Sequence, residues 1–271
     1  MSRNLCFSYR MEIRYSQPVS GSCYTLRTIP ESSGVQQVKV LTTRLEPGEN
    51  CWQGRDPFGN RLLCGRDHSL LDRFLFEETG KVTTGLADSE PAEPYARLVK
   101  FRYGGSLVQP GPLLKRFWAG QLEPVLRGRS ALEQGRIIME KVHDTMAYAK
   151  GRTGMDTTAE QALEQGSGVC QDESHVMIAL CRLSGLTARY AAGFLYGEGE
   201  SHAWVEVLHN GRWYGLDPTN AIPAGEKHIR IAVGRDVRDC PMNSGIFYGS
   251  ADQEIRVKVK VWEEEKGAVK K

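Results

Sequence analysis

The sequence predicts an α+β protein, with an N-terminal antiparallel β-sandwich-like unit followed by a core of helices packed on an antiparallel sheet. Three observations predict it. Between about residues 9 and 103, short alternating or β-branched runs are broken by turn residues. Between residues 130 and 183, helix-capping pairs precede apolar residues at helical spacing. From residue 188 to 216, aromatic and β-branched runs return, divided by an Asn-Gly hairpin turn. The chain has 271 residues, enough for two units of the common size of about 100 to 200 residues. The division is expected at 1–110 and 111–271, with the last strand, about 254–262, able to return to the first unit.

In the first unit, 37–41 and 81–84 read as strands. Asp56, Pro57, Phe58, Gly59 and Asn60 read as a hairpin tip, because proline fixes one φ and glycine or asparagine supplies a positive one. The acidic, proline-bearing stretch 87–94 suits an exposed connection, and Gln109, Pro110, Gly111 and Pro112 mark entry to the helical region. Ser130 with Glu133 forms a capping box, predicting a helix over 131–148 with Ile138, Val142 and Met146 on one face. Thr158 with Gln161 repeats the pattern for a helix over 159–165, ended by Gly166 and Gly168. A third helix begins at Cys170 and runs to about residue 183, its apolar stripe formed by Met177, Leu180, Cys181 and Ser184, with Gly185 as its left-handed C-terminal residue. Strands over 188–195, 203–208 and 212–216 form a meander around Asn210 and Gly211. Ile255, Val257, Val259 and Val261 alternate with charges in a final half-buried strand, after which a lysine-rich tail frays.

Composition excludes several classes of function. With 35 basic and 33 acidic residues, the net charge of +2 provides no field for nucleic acid or an anionic membrane. The charged start of the chain lacks the apolar run of about 7 to 15 residues of an export signal, so a soluble cytoplasmic protein is expected. Seven cysteines, an odd number without repeated spacing, read as free thiols of a reducing compartment. The dispersed histidines lack zinc-site spacing, so neither a metal nor another cofactor is expected.

A thiol is nucleophilic as the thiolate, which the dipole and unpaired amides of a helix N-terminus favour. Cys170 has that position after Gly168 and Val169, whose turn can also aim amides at an oxyanion. His202 opens one strand and Asp217 closes the next, so their pairing brings both to one end of the hairpin. A carboxylate there fixes the histidine tautomer and stabilises its imidazolium. Taken singly, a buried thiol, a packed histidine and a turn aspartate are ordinary. Their order makes Cys170, His202 and Asp217 a candidate nucleophile, base and orienting acid.

The segments GSGVCQDESHVMIALCRLSGLTARYAAGFL, SHAWVEV and WYGLDPTN resemble the three motifs of the transglutaminase-like superfamily. The DPFGN turn and the closing VGRDVRDCPMNSGIFYG extend the likeness, over nearly the whole chain, to bacterial members of the cysteine-protease type. The resemblance implies a papain-type triad, a metal-free site and acyl transfer through a thioester. Glu173 departs from the pattern, which commonly has an aromatic residue there, and puts local packing or a substrate contact in question.

Other residues invite weaker assignments. Gln171 and Asp172 occupy the first helical turn, where Asp172 reads as a simple helix-start charge. His175 would support the site as a packed neighbour, Trp204 could wall the pocket, and Arg235, Asp236 and Asp239 could border the cleft or form a structural salt bridge. A peptide or protein substrate is expected, cleaved by water or transferred to an amine. The rival classes are a non-catalytic binding scaffold and a redox sensor. For the latter, Cys181 lies about 16 Å along the helix from Cys170, leaving Cys240 as resolving thiol.

Overall fold

The computed structural model describes residues 2–48 and 50–264; the lysine-rich tail lies outside the described residues. Local sequence rules account for the strands of the first unit but not for their lengths. Strand β1 (Arg3–Leu26) is continuous over 24 residues, with alternating burial along most of its length, in place of several short runs. Then come β2 (Gln36–Glu46), β3 (Cys51–Arg55), β4 (Arg61–Asp67) and β5 (Leu71–Thr84). The first half of β1 pairs with β5, which carries β2; its second half pairs with β4, which carries β3. The register breaks between Arg14 and Val19, where the strand passes from one sheet region to the other. Tyr24 from the second half packs on Phe74 of β5, with ring centroids 4.9 Å apart, so the two halves share a core.

The segment expected as an exposed connection instead includes a short strand, β6 (Glu90–Pro91), paired at the edge of the second sheet, and Ser89 is buried. Backbone pairing outweighs the polar composition that suggested a loop. A helix, α1 (Tyr95–Tyr103), also replaces the end of the expected β region, because Leu98 and Phe101, three apart, give it one buried edge. Helices α2 (Pro112–Phe117) and α3 (Glu123–Leu126) flank a π-turn, and Pro112 takes the first helical position as its missing N–H allows.

Helix α4 (Ala131–Thr145) has the Ser130–Glu133 capping box but stops three residues before the expected end. Its successor β7 (Ala147–Tyr148) pairs in parallel with β8 (Ser167–Gly168), which draws 147–148 out of the helix. Helix α5 (Ala159–Gln165) has the Thr158–Gln161 box and ends at Gly166 with φ 62°. Helix α6 (Cys170–Leu183) is not an amphipathic surface helix, because every residue from Asp172 to Cys181 is buried.

Strands β9 (Ala188–Leu195), β10 (Gly197–Gly199), β11 (His202–His209), β12 (Arg212–Asp217), β13 (Ile222–Pro223) and β14 (His228–Gly234) follow. The second sheet runs β13-β12-β11-β9-β14, antiparallel throughout. Asn210 and Gly211, with φ 48° and 71°, make the tight β11–β12 turn. Strand β15 (Asn243–Tyr248) and then β16 (Gln253–Glu263) return to β1. Phe194 of β9 stacks on Tyr9 and packs on Phe7 of β1, at 5.4 and 5.6 Å, so one hydrophobic core runs through both sheets.

Strand β14 lies at a sheet edge, and two side-chain amides of the first unit complete it. The Gln36 amide accepts from Arg230 N and donates to Arg230 O, both at 2.8 Å. The Asn60 amide does the same for Val233 N and O, again at 2.8 Å. Each mimics a neighbouring peptide and closes an edge that would otherwise leave polar groups unpaired. Asp56 in turn accepts from Phe58 N, Asn60 N and Asn60 Nδ2, so the hairpin tip is a docking element. Asn60→Ala should lower the unfolding free energy by about 2 to 4 kcal/mol, since it strips partners from two buried groups. Urea denaturation would measure this, and an unchanged midpoint would remove the docking role.

Candidate functional site

The turn into α6 is built around a buried carboxylate. Asp172 Oδ2 accepts from Val169 N at 2.8 Å and from Thr153 Oγ1 at 2.7 Å, closing the helix start from inside. A Cβ on Gly168 would come within 2.6 Å of the Asp172 side chain, so glycine is required there. The expectation of a simple helix-start charge is corrected: Asp172 is fully buried, and burial raises its pKa against those hydrogen bonds. Cys170 is thereby held at the first helical position, where amides of the first turn lack partners within the helix.

Strand pairing delivers the other two groups. Val205 pairs with Leu216, which sets Asp217 opposite Trp204, two residues from His202 and on the same face. His202 Nε2 lies 2.8 Å from Asp217 Oδ2, which leaves Nδ1 as the ring nitrogen available to Cys170. Burial alone would depress the imidazolium, but the bonds to Asp217 and Cys170 and their charges outweigh it and raise the pKa to about 10. Asp217 has no solvent exposure. Its Oδ1 accepts from Thr219 N at 3.0 Å and Asn220 N at 3.3 Å; its Oδ2 accepts from Asn220 Nδ2 at 2.7 Å as well as from His202. Burial pushes this carboxyl upward, yet the histidine hydrogen bonds hold it far below the usual carboxylate range.

A third ring, unremarked in the sequence, joins the same oxygen: His228 Nε2 is 3.1 Å from Asp217 Oδ2. His202, Asp217 and His228 offer ligand atoms within 4.8 Å of one another, the spacing of a metal site. Their chemistry does not fit a metal. His228 Nδ1 accepts from Gly225 N at 3.3 Å, so Nε2 bears the hydrogen and donates, and Asp217 Oδ2 already has three donors.

Cys170 and His202 open into a cleft of about 780 Å³. Gln171 lines it and donates to Gly154 O at 3.3 Å. Tyr148 and Met155 form one rim, residues 196–201 another, and Tyr9, Tyr190 and Val257 form further wall, so the N-terminal unit contributes to the cleft. Cys240 also lines it, but burial raises its thiol pKa well above the ordinary value, which makes it a poor resolving nucleophile. All seven cysteines are free.

The remaining candidates are structural. Trp204 does not line this cleft; it packs beside His202 and His228, at 6.4 and 5.2 Å between ring centroids. The strand alternation that suggested a pocket wall puts Trp204 on the His202 face but deeper. Asp236 accepts from Leu107 N and Arg238 N, and Arg235 pairs with Asp239 at 2.7 Å, so neither borders the cleft. Glu173 is buried away from the cleft, where burial and the nearby Asp217 charge raise its pKa, so the departure from the aromatic pattern concerns packing.

His175 is buried and its Nε2 accepts from Val237 N at 3.2 Å; burial lowers its pKa to about 3. Below about pH 6.5 the unfolded chain would bind a proton that the folded protein refuses, so stability should fall with pH between about 6.5 and 3. Unfolding free energy measured against pH should decline by about 1.4 kcal/mol less per unit in His175→Gln than in the wild type. Equal slopes would contradict the buried neutral state.

The model of the transglutaminase-like superfamily matches residues 122–218, a span that includes Cys170, His202 and Asp217. An uncharacterized protein of Mycobacterium tuberculosis is 32% identical, the alignment covering 92% of this chain and 88% of that one. Another, from Mycobacterium leprae, is 35% identical over 42% of this chain, which spans 44% of that protein's length. A crystal structure described as a putative cysteine protease from Cytophaga hutchinsonii has the same fold, with TM-score 0.75 at 19% identity, covering 98% of this chain and 94% of that one.

Proposed function

Because the chain belongs to the transglutaminase-like superfamily, we propose that it catalyses thiol-dependent acyl transfer with Cys170 as nucleophile, His202 as base and Asp217 as the orienting acid. One observation carries this reading: His202 bonds the fully buried Asp217 at 2.8 Å and shares the wall of an open cleft with Cys170, whose proximity helps raise the histidine pKa.

In the proposed reaction His202 takes the Cys170 proton and the thiolate attacks an amide carbonyl. Amides of the first α6 turn face the developing oxyanion. The imidazolium returns the proton to the departing amine, leaving a thioester on Cys170. Asp217 supports the imidazolium through this step, consistent with its raised pKa. Water activated by His202 then releases the acid and restores the thiol. We favour this hydrolysis of a peptide, isopeptide or amide bond, because nothing in the sequence resembles a dedicated amine site. Transfer to an amine is the alternative outcome of the same thioester. A non-catalytic scaffold would leave the histidine–thiol contact without a use.

A brief, substoichiometric pulse of iodoacetamide near neutral pH, followed by intact and peptide mass spectrometry, tests the reading. Label should fall on Cys170, and His202→Ala should slow it by about a hundredfold or more, the scale of a positioned base. Label spread over the seven cysteines at similar rates would contradict it. Adding a primary amine to a cleaved peptide substrate separates the outcomes, with hydrolysed product predominating.

A further inference from the structure

We propose that His228 is a positioning residue of this site, a second histidine that holds the Asp217 carboxylate against His202. The proposal rests on the acyl-transfer reading and adds a residue that lies outside the recognised motifs. His228 opens β14 and is buried, and its Nε2 lies 3.1 Å from the oxygen that His202 contacts at 2.8 Å. Its own tautomer is fixed from behind: Gly225 N donates to Nδ1, so Nε2 is the protonated nitrogen and can only donate. Burial lowers the His228 pKa against the pull of Asp217, consistent with a neutral ring; a second imidazolium would oppose the charge on His202, 5.9 Å away between centroids.

Geometry limits what else His228 can do. It does not line the cleft that holds Cys170, so it does not meet substrate. Trp204 packs against both imidazoles and restrains both ring planes. The strand that carries His228 is anchored at Arg230 and Val233 by the Gln36 and Asn60 amides, which makes the N-terminal unit part of the support for Asp217. A neutral donor shares a buried carboxylate without neutralising it, and so leaves its full charge to His202.

The test is a double-mutant cycle read by the rate of Cys170 alkylation by iodoacetamide near neutral pH, with thermal unfolding of each sample as a check on folding. His228→Leu should slow alkylation by at least about tenfold, the scale of one charge-assisted hydrogen bond. His228→Gln, whose amide nitrogen can replace Nε2, should recover the rate to within about threefold. His228→Asn, too short to reach Asp217, should lose as much as His228→Leu and serves if the leucine variant does not fold. In an Asp217→Ala background the His228 substitutions should have no further effect, because the residue acts through that carboxylate. A wild-type rate in His228→Leu and His228→Asn, a wild-type rate in Asp217→Ala, or additive losses in the double variants would each overturn the proposal. Slow, His202-independent alkylation of the wild type would instead overturn the acyl-transfer reading itself.

Discussion

The site depends on burying one carboxylate. Asp217 is without solvent exposure, and an uncompensated charge in that position would cost several kcal/mol. Five hydrogen bonds offset this: two from backbone amides of the turn after β12, one from Asn220 and two from imidazoles. These donors arrive from β11, β14 and the β12 turn, so the second sheet must be assembled before the charge is tolerated. The same charge, together with Cys170, raises the His202 pKa where burial alone would lower it. Stability and chemistry thus meet at one oxygen, Asp217 Oδ2.

The sheet is held in that arrangement by contacts that lie outside the motif-bearing segments. On the far side of β11 from the turn, Arg189 and Arg230 pair with the buried Glu206, with Arg230 also bonding Glu90 and Arg189 lying over the Trp213 ring. Through Arg230, the Glu90 pair fastens the 87–94 segment to the sheet at the buried Glu206. Gln36 and Asn60 complete the β14 edge, while Tyr9 and Phe7 pack on Phe194. The N-terminal unit therefore braces the strand that carries His228 and supplies wall to the cleft. That physical coupling accounts for a long β1 shared between sheet regions: it reaches both β5 and β4 while keeping Tyr9 at the cleft.

How far the fold was legible in the sequence depended on the range of the interaction that decides each feature. Capping boxes at Ser130 and Thr158, the αL glycines at 166 and 185 and the Asn210–Gly211 turn are local, and the residues alone are enough to read them. The positions of Cys170, His202 and Asp217 were readable too, because a helix start and one hairpin are short-range features. Long-range pairing was not readable. The length of β1, the shortening of α4 by the β7–β8 pair and the helix at Tyr95–Tyr103 each depend on a distant partner or on one buried edge. His228 was missed for the same reason: it opens a strand buried along nearly its whole length, and only the β9–β14 pairing carries it to Asp217. Asp172 read as a simple helix-start charge because nothing local reveals that Thr153, nineteen residues earlier, helps to enclose it.

The central claim is that Cys170 carries the acyl group during turnover, and capture of that intermediate tests it most directly. Exposure to p-nitrophenyl acetate, an acid quench and peptide mass spectrometry would locate any acyl adduct. The account predicts a hydroxylamine-labile acetyl group on Cys170 that is absent from Cys170→Ala and accumulates slowly, if at all, in His202→Ala. Acetylation scattered over other cysteines and lysines, with Cys170 unmodified, would contradict it.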